Sequence, residues 1–400
     1  MAKDFLYNYI NNILRKIFPY VMRALEIPLI QTGKFVGSFF TSYFRSQFFF
    51  LFPFYHIGGA EKVHLNITSC FKDYNPIVFF ADKSKNSALK KEFMRSARTF
   101  DLRYFNNPLL IYLWVGVLST ILNNNKNCVV FGSNNLLFYR LIPYLNPEIS
   151  CIDLLHAFGG GIENFSLQYV DRLDKRVVIN TRTLQDLKDQ YHSNGISEKM
   201  IEKVFLIENC ISIPEKNTGK NRDSVFRILY VGRGSEEKRV NLIGEISYLC
   251  HQKGMPVEFV LVGDLKSAMP KQYREYCNFV GEIVNEKEIS EIYDSSDILL
   301  LVSSYEGFPL VIMEAMAHGV ITISTDVGGI SQHIHSGSNG FLIKNESEDI
   351  IVKNVCEVIK ELISDQLLMN KISIEAYKYA KAYFNCEKFC LKYKDLILHK

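Results

Sequence analysis

The sequence predicts an α/β protein of two domains, each built on a parallel sheet with helices on its faces. Three observations lead there. Short β-branched or aromatic runs alternate with longer helical patterns along the chain. The runs are apolar at successive positions rather than at every second one, as strands covered on both faces must be. And 400 residues exceed what one hydrophobic core serves, since domains hold roughly 100–200 residues each.

In chain order the runs fall into two groups. The first comprises Phe48–Phe52, Ile77–Phe80, Val129–Phe131 and Val177–Ile179; the second comprises Ile228–Val231, Val257–Val262, Ile298–Val302 and Val320–Ser324. Between them, Pro214 to Ser224 is polar and lacks an apolar period, which reads as a linker. The expected organisation is therefore an extension over 1–45, a first domain over 46–213, a linker over 214–224, a second domain over 225–375 and a final helix over 376–400. From about Ser347 onward the pattern is helical.

The extension has a pattern of its own. Phe5/Leu6, Tyr9/Ile10, Ile13/Leu14, Ile17/Phe18, Val21/Met22 and Leu25 recur every four residues and form one stripe on a helix, flanked by Lys3, Arg15, Lys16 and Arg23. Two readings stay open: a helix lying in a membrane interface against anionic lipid through residues 1–27, or one packed on the protein's own surface. Residues 1–50 carry six basic groups against Asp4 and Glu26, although the whole chain is only +3. That small net charge, with no Lys/Arg cluster, argues against nucleic acid. No apolar run reaches the roughly 18 residues of a membrane span, and no secretory signal opens the chain. The nine cysteines include no CxxC pair and offer no zinc spacing. A cytoplasmic location fits, at the inner face of the cell membrane if the first helix binds lipid.

Chemistry concentrates in the second half. Ile228 to Val231 runs into Gly232, and Arg233 and Lys238 follow on the loop. Cations at the carboxyl end of a parallel strand lie where open α/β sheets bind ligands, and two of them suit a diphosphate. Ile298 to Val302 leads through a loop to Glu306, and Gly307, Phe308 and Pro309 precede a helical pattern containing Glu314. Pro309 suits the first position of a helix, so the amides of Leu310 and Val311 point outward, an arrangement that holds phosphate oxygens. Glu306 and Glu314, at two levels of one strand–loop–helix unit, can accept hydrogen bonds from two sugars on either side of a diphosphate. No G-x-G-x-x-G follows a strand, which sets aside a nicotinamide dehydrogenase.

With these residues in place, the second half resembles the donor domain of family-4 glycosyltransferases of the GT-B fold. The matching elements, in order over about 228–343, are Gly232-Arg233 with Lys238, Val262-Gly263-Asp264, Phe279-Val280-Gly281-Glu282-Ile283, the Glu306/Glu314 pair, Val327-Gly328-Gly329, Gly337 and Asn339-Gly340. The resemblance implies two Rossmann-like domains facing across a cleft, with the last helix returning to the first domain. It implies retaining transfer from a nucleotide sugar to a glycan acceptor without a bound metal or other cofactor. Arg233 and Lys238 would bind the diphosphate, Glu306 the transferred sugar, Glu314 the ribose, and the backbone at Gly281 and Ile283 the base. A UDP-sugar donor and a lipid-linked acceptor of surface-polysaccharide synthesis are the favoured partners.

The first half matches less fully. Gly58 and Gly59 follow its first strand as the family's glycine loop does, and His156 resembles a histidine placed beside the transferred sugar. Three features depart from the pattern: Gly159-Gly160-Gly161 after His156, Gln332 in place of a usual Glu, and Asn209-Cys210-Ile211-Ser212. His333 and His335 read as surface residues. Other GT-B activities, an epimerase or a phosphorylase, and a silent nucleotide-sugar-binding partner of an assembly complex remain as alternatives.

Overall fold

A computed structural model of the chain describes residues 25–102, 110–214 and 225–398. The stripe over Phe5 to Met22 and linker residues 215–224 lie outside them. Two parallel sheets hold the strands. The first sheet orders β1 (Phe48–Phe52), β2 (Ile77–Phe80), β3 (Arg98–Asp101), β4 (Val129–Ser133), β5 (Ser150–Leu155), β6 (Lys175–Val178) and β7 (Val204–Leu206) as β3-β2-β1-β4-β5-β6-β7. The second orders β8 (Phe226–Val231), β9 (Val257–Val262), β10 (Cys277–Gly281), β11 (Ile298–Leu301), β12 (Ile321–Thr325) and β13 (Gly340–Ile343) as β10-β9-β8-β11-β12-β13. In each, chain order reverses beside the first strand, between β1 and β4 and between β8 and β11. Such reversal points are where ligands of open α/β sheets bind.

The strands expected from sequence are all present, three with the same ends and five with ends moved by one or two residues, as hydrogen-bonded boundaries usually are. Five others, β3, β5, β7, β10 and β13, are not among the runs expected from sequence. Four of these, β3, β7, β10 and β13, are sheet edges, and β3, β7 and β10 are half-exposed along much of their length. A strand with one open side need not be apolar throughout.

The first compact unit comprises residues up to Leu155, with Gly161–Val177 and Glu198–Val204. Its core joins Phe49, Leu51, Phe79 and Val130 of the sheet to Val115, Leu118 and Leu122 of the helix Ile111–Asn123. A second helix, over residues 25–38, lies on that one almost backbone to backbone. A methyl group added to Gly33 would sit 2.1 Å from the Leu113 carbonyl oxygen, and one on Gly116 would sit 2.2 Å from that of Ile30. Small residues four apart, Gly33 and Gly37, permit the approach.

The second unit comprises His156–Gly160, Val178–Ser197 and Phe205–Lys400. From sequence, residues 156–160, 178–197 and 205–213 are expected in the first domain, with the final helix returned to it. The structure groups all of these with the second unit, and the bonds explain part of it. Ile211 N–H donates to the Phe384 carbonyl at 3.2 Å, Tyr377 Oη to that of Pro214 at 3.3 Å, and Gln332 Oε1 accepts from the Thr181 amide at 3.2 Å. The helical tail is three helices, Glu348–Ser364, Gln366–Tyr383 and Cys386–Leu398. Asp365 and Asn385 begin the second and third by accepting from amides of the first turn.

Candidate donor site

The glycines that end adjacent strands of the second sheet set the site's floor. Gly263 has φ 135°, and a methyl group there would lie 1.9 Å from the Gly232 carbonyl oxygen. Gly281, at φ 89°, accepts from the Gly263 amide at 2.8 Å. No side chain fits at Gly263, and the left-handed φ of Gly281 favours glycine there, so backbone lies bare at the carboxyl edge of these strands. Ile283, just beyond, is buried.

Across the reversal point between β8 and β11, two loops meet. Lys238 Nζ lies 2.5 Å from Glu306 Oε1, with side-chain exposures of 17% and 9%. The sequence places these residues 68 apart; the strand order places their loops side by side. Arg233 is different. Its side chain is 74% exposed, and its guanidinium reaches Glu237 at 3.8 Å. Burial opposes ionisation of Glu237, yet the Ser235 hydroxyl at 2.5 Å, backbone and the neighbouring cations together hold its carboxyl below the usual range. Beneath them, Tyr230 Oη donates to the Arg233 carbonyl at 2.8 Å, and burial followed by the charges of Glu306 and Glu237 pushes the phenol's pKa up.

Arg239, which sequence reasoning missed, joins the two loops. Its backbone is left-handed at φ 47°, a conformation costing a non-glycine residue about 1–2 kcal/mol. Its guanidinium donates to the carbonyls of Val302 and Ser303 and to Asn345 Oδ1 at 2.5, 2.8 and 2.9 Å. Charged donors on carbonyls offset such strain. The available signal is a second cation directly after Lys238.

The Glu306 loop is gripped from behind. A methyl group on Gly307 would meet the His156 carbonyl oxygen at 2.3 Å, and one on Gly328 would meet that of Glu306 at 2.0 Å. The Gly329 amide donates to the Gly307 carbonyl at 2.6 Å. His156 thus abuts the loop through its backbone. Its imidazole is half-buried, and burial pushes the pKa down to about 4, so it is neutral at physiological pH. Gly159 and Gly161 take φ 102° and 92°, and Tyr305 Oη donates to the Phe158 carbonyl at 2.8 Å between them and His156. The triple glycine is a turn that other residues would strain.

Pro309 stands one position earlier than expected. It precedes the helix Leu310–Ala317 with φ −68° and ψ 129°, and Leu310 is the first helical residue. Phe308 and Leu310 are buried, so a donor would meet them through backbone. Glu314 lies half-buried on that helix, where Tyr293 Oη donates to its Oε2 at 2.9 Å. Burial first, then the carboxylate's charge, raises the Tyr293 pKa and keeps the phenol a donor. In the first unit, Gly58 is extended at φ −179° and precedes the helix Gly59–Cys70. A methyl group on Gly58 would collide with Glu61 Oε2 at 2.2 Å, whereas Gly59 faces open space.

His333 is a correction. It is 3% exposed, with its ring stacked on Phe308 at 4.2 Å and Nδ1 3.2 Å from Tyr379 Oη; His335 is exposed as expected. The apolar residues Phe308 and Phe384, remote in sequence, make the pocket that buries it. Burial, then the charge of His335, lowers its pKa from 6.5 to about 4. Between those values the unfolded chain binds the proton first, so stability falls as pH drops through the window, by up to about 3 kcal/mol. His333→Phe is expected to keep the stack and flatten that acid slope. Melting temperature followed from pH 7 to pH 4 checks it; a slope equal to that of the unmodified protein refutes it.

Residues 225–361 match the family model described as glycosyl transferases group 1. Over that third of its length the chain carries a group 1 glycosyl transferase domain, and its fold is GT-B. It is 25% identical over 365 residues to the amylovoran biosynthesis glycosyltransferase AmsD of Erwinia amylovora, covering 85% of this chain and 96% of that one. It is 27% identical over 232 residues to the UDP-Gal:alpha-D-GlcNAc-diphosphoundecaprenol alpha-1,3-galactosyltransferase of Escherichia coli, covering 56% and 58%. Among solved structures, Anabaena HepE in complex with UDP-glucose superposes with a TM-score of 0.69 at 16% identity, covering 88% of this chain and all of that one. The two parallel sheets are therefore the two Rossmann-like domains of this fold.

Proposed function

We propose that the chain transfers a hexosyl or N-acetylhexosaminyl group from a UDP-sugar to a glycan acceptor, with retention of anomeric configuration and without a bound metal. The observation that carries this reading is the Lys238–Glu306 pair at the reversal point of the second sheet. The two charges satisfy each other across the loops. A diphosphate entering between the loops offers Lys238 a second anion and lets Glu306 turn to the sugar's hydroxyls. Exposed Arg233 completes the cationic pair, and bare backbone at Gly281 and Ile283 accepts the base. Glu314, pinned by Tyr293, receives the ribose hydroxyls. The acceptor hydroxyl attacks the anomeric carbon on the face from which UDP leaves, and a diphosphate oxygen takes its proton. The developing charge falls on Lys238 and Arg233, already fixed in place. His156, uncharged, can hydrogen-bond a sugar hydroxyl without repelling Lys238.

A lipid-linked precursor of a bacterial surface polysaccharide is the acceptor we favour. The named substrate of the Escherichia coli relative supports it, as does the basic, aromatic stretch over residues 1–27. Incubation with a panel of nucleotide sugars tests the donor reading. One UDP-sugar is expected to be hydrolysed slowly, with or without chelator, and product NMR is expected to show the donor's anomeric configuration. Turnover of no nucleotide sugar, or an inverted product, overturns the proposal. Glu314→Ala is expected to raise the donor KM about tenfold with kcat little changed, since the ribose contact is equal in ground and transition states. A fall in kcat alone would contradict that role.

A further inference from the structure

The helix over residues 25–38 buries one face and exposes large apolar side chains on the other. Ile30, Gly33 and Gly37 face inward on the helix Ile111–Asn123. Outward stand Ile27 and Phe35, 69% and 67% exposed, followed past the helix end by Phe39 and Tyr43 at 70% and 60%, with Phe40 beside them. Phe35 and Phe39 pack edge to face at 5.2 Å, so the rings form a ledge rather than isolated side chains. Apolar surface this continuous marks a contact site.

The charges around the ledge say what covers it. Between Ile27 and Ala60 the sequence holds no acidic residue, while Lys34 and Arg45 lie within the segment. Arg98 stands over the Tyr43 ring at 4.8 Å and donates to the Tyr43 carbonyl at 3.0 Å. The one carboxylate of residues 25–46, Glu26, accepts from Tyr144 Oη at 3.2 Å on the domain's own surface. Aromatic rings rimmed by cations suit an interface whose headgroups are anionic and whose next layer is hydrocarbon. We propose that Phe35, Phe39, Phe40 and Tyr43, with Lys34, Arg45 and Arg98, form the face by which the first domain docks on an anionic lipid bilayer. This inference goes beyond the donor reading and stands without it.

Co-sedimentation of the full chain with phosphatidylcholine vesicles, with and without phosphatidylglycerol, tests it. The unmodified protein is expected to sediment with the anionic vesicles and far less with the neutral ones. Phe35→Ser combined with Phe39→Ser is expected to reduce partitioning at least about tenfold, at an unchanged melting temperature, because both positions are exposed. Lys34→Gln with Arg45→Gln is expected to weaken binding to anionic vesicles and leave neutral ones unaffected. Hydrolysis of the UDP-sugar in vesicle-free solution is expected to be unchanged by either pair, which separates failure here from failure of the donor assignment. Binding that survives the phenylalanine substitutions overturns the proposal, placing any lipid contact in residues 1–24. So does a vesicle-independent dimer that the same substitutions dissociate, which would make a second copy the occupant.

Discussion

Lys238→Ala is expected to lower turnover at least about a hundredfold, with the melting temperature changed little. The figure is that of losing one preorganised electrostatic contact to a leaving group in a water-poor site. Lys238 is well placed for it: 17% exposed, on a loop fastened by Arg239 to the end of β11, and 2.5 Å from the carboxylate of Glu306, the residue proposed to take the sugar. Removing the amine also leaves Glu306, 9% exposed, without its cation. Glu306→Ala is therefore expected to fall by a similar factor, and the double variant by much less than the product, because the residues act as one unit. Lys238→Arg is not expected to restore activity, since a planar fork cannot occupy the site of a compact ammonium. Single-turnover transfer with the donor found in the panel is the measurement. Near-unmodified rates for either alanine variant would remove the pair from the reaction.

Much of this site is legible in the amino-acid sequence, for a physical reason. A strand buried on both faces must be apolar throughout, and the loop at its carboxyl end must carry whatever touches a ligand, so β8 and β11 point directly to Arg233, Lys238, Glu306 and Glu314. What adjacency does is not legible there. Nothing in the spacing of Lys238 and Glu306 says that β8 and β11 are neighbours; that follows from the reversal in strand order. His333 reads as a surface residue because it and His335, two apart, have no metal partner in the sequence, whereas Phe308 and Phe384 bury it from 25 and 51 positions away. Gly58 reads as part of a glycine loop, and nothing in the sequence says that Glu61 Oε2 lies where its side chain would be. The half-exposed edge strands β3 and β10 escape for want of the apolar signal that full burial imposes.

The largest expected effect on stability lies in the first unit. Arg176, on β6, is 2% exposed and donates from Nε and Nη2 to the carboxylate of Asp153, on β5, which is wholly buried. Its Nη2 also reaches Ser166 Oγ at 2.8 Å, and Tyr139 Oη donates to Asp153 Oδ2 at 2.8 Å. Burial, then the charge of Asp153, raises the Tyr139 pKa, so the phenol stays a donor. Arg176→Met would leave a carboxylate in the core facing one hydroxyl, at a cost of about 3–5 kcal/mol. Combining it with Asp153→Leu removes both charges and is expected to recover much of the loss, because the pair's own desolvation offsets most of its attraction. The single tryptophan makes the measurement local, for Trp114 lies in the helix Ile111–Asn123 and packs on the first unit's core. Urea unfolding followed by Trp114 fluorescence is expected to shift to a lower midpoint in Arg176→Met and partly back in the double variant. An unshifted single variant would refute this role for the pair. Because β5 runs directly into His156, the same network fixes the strand from which that histidine emerges, and the single variant is expected to lose transfer activity at the urea concentration where its fluorescence changes.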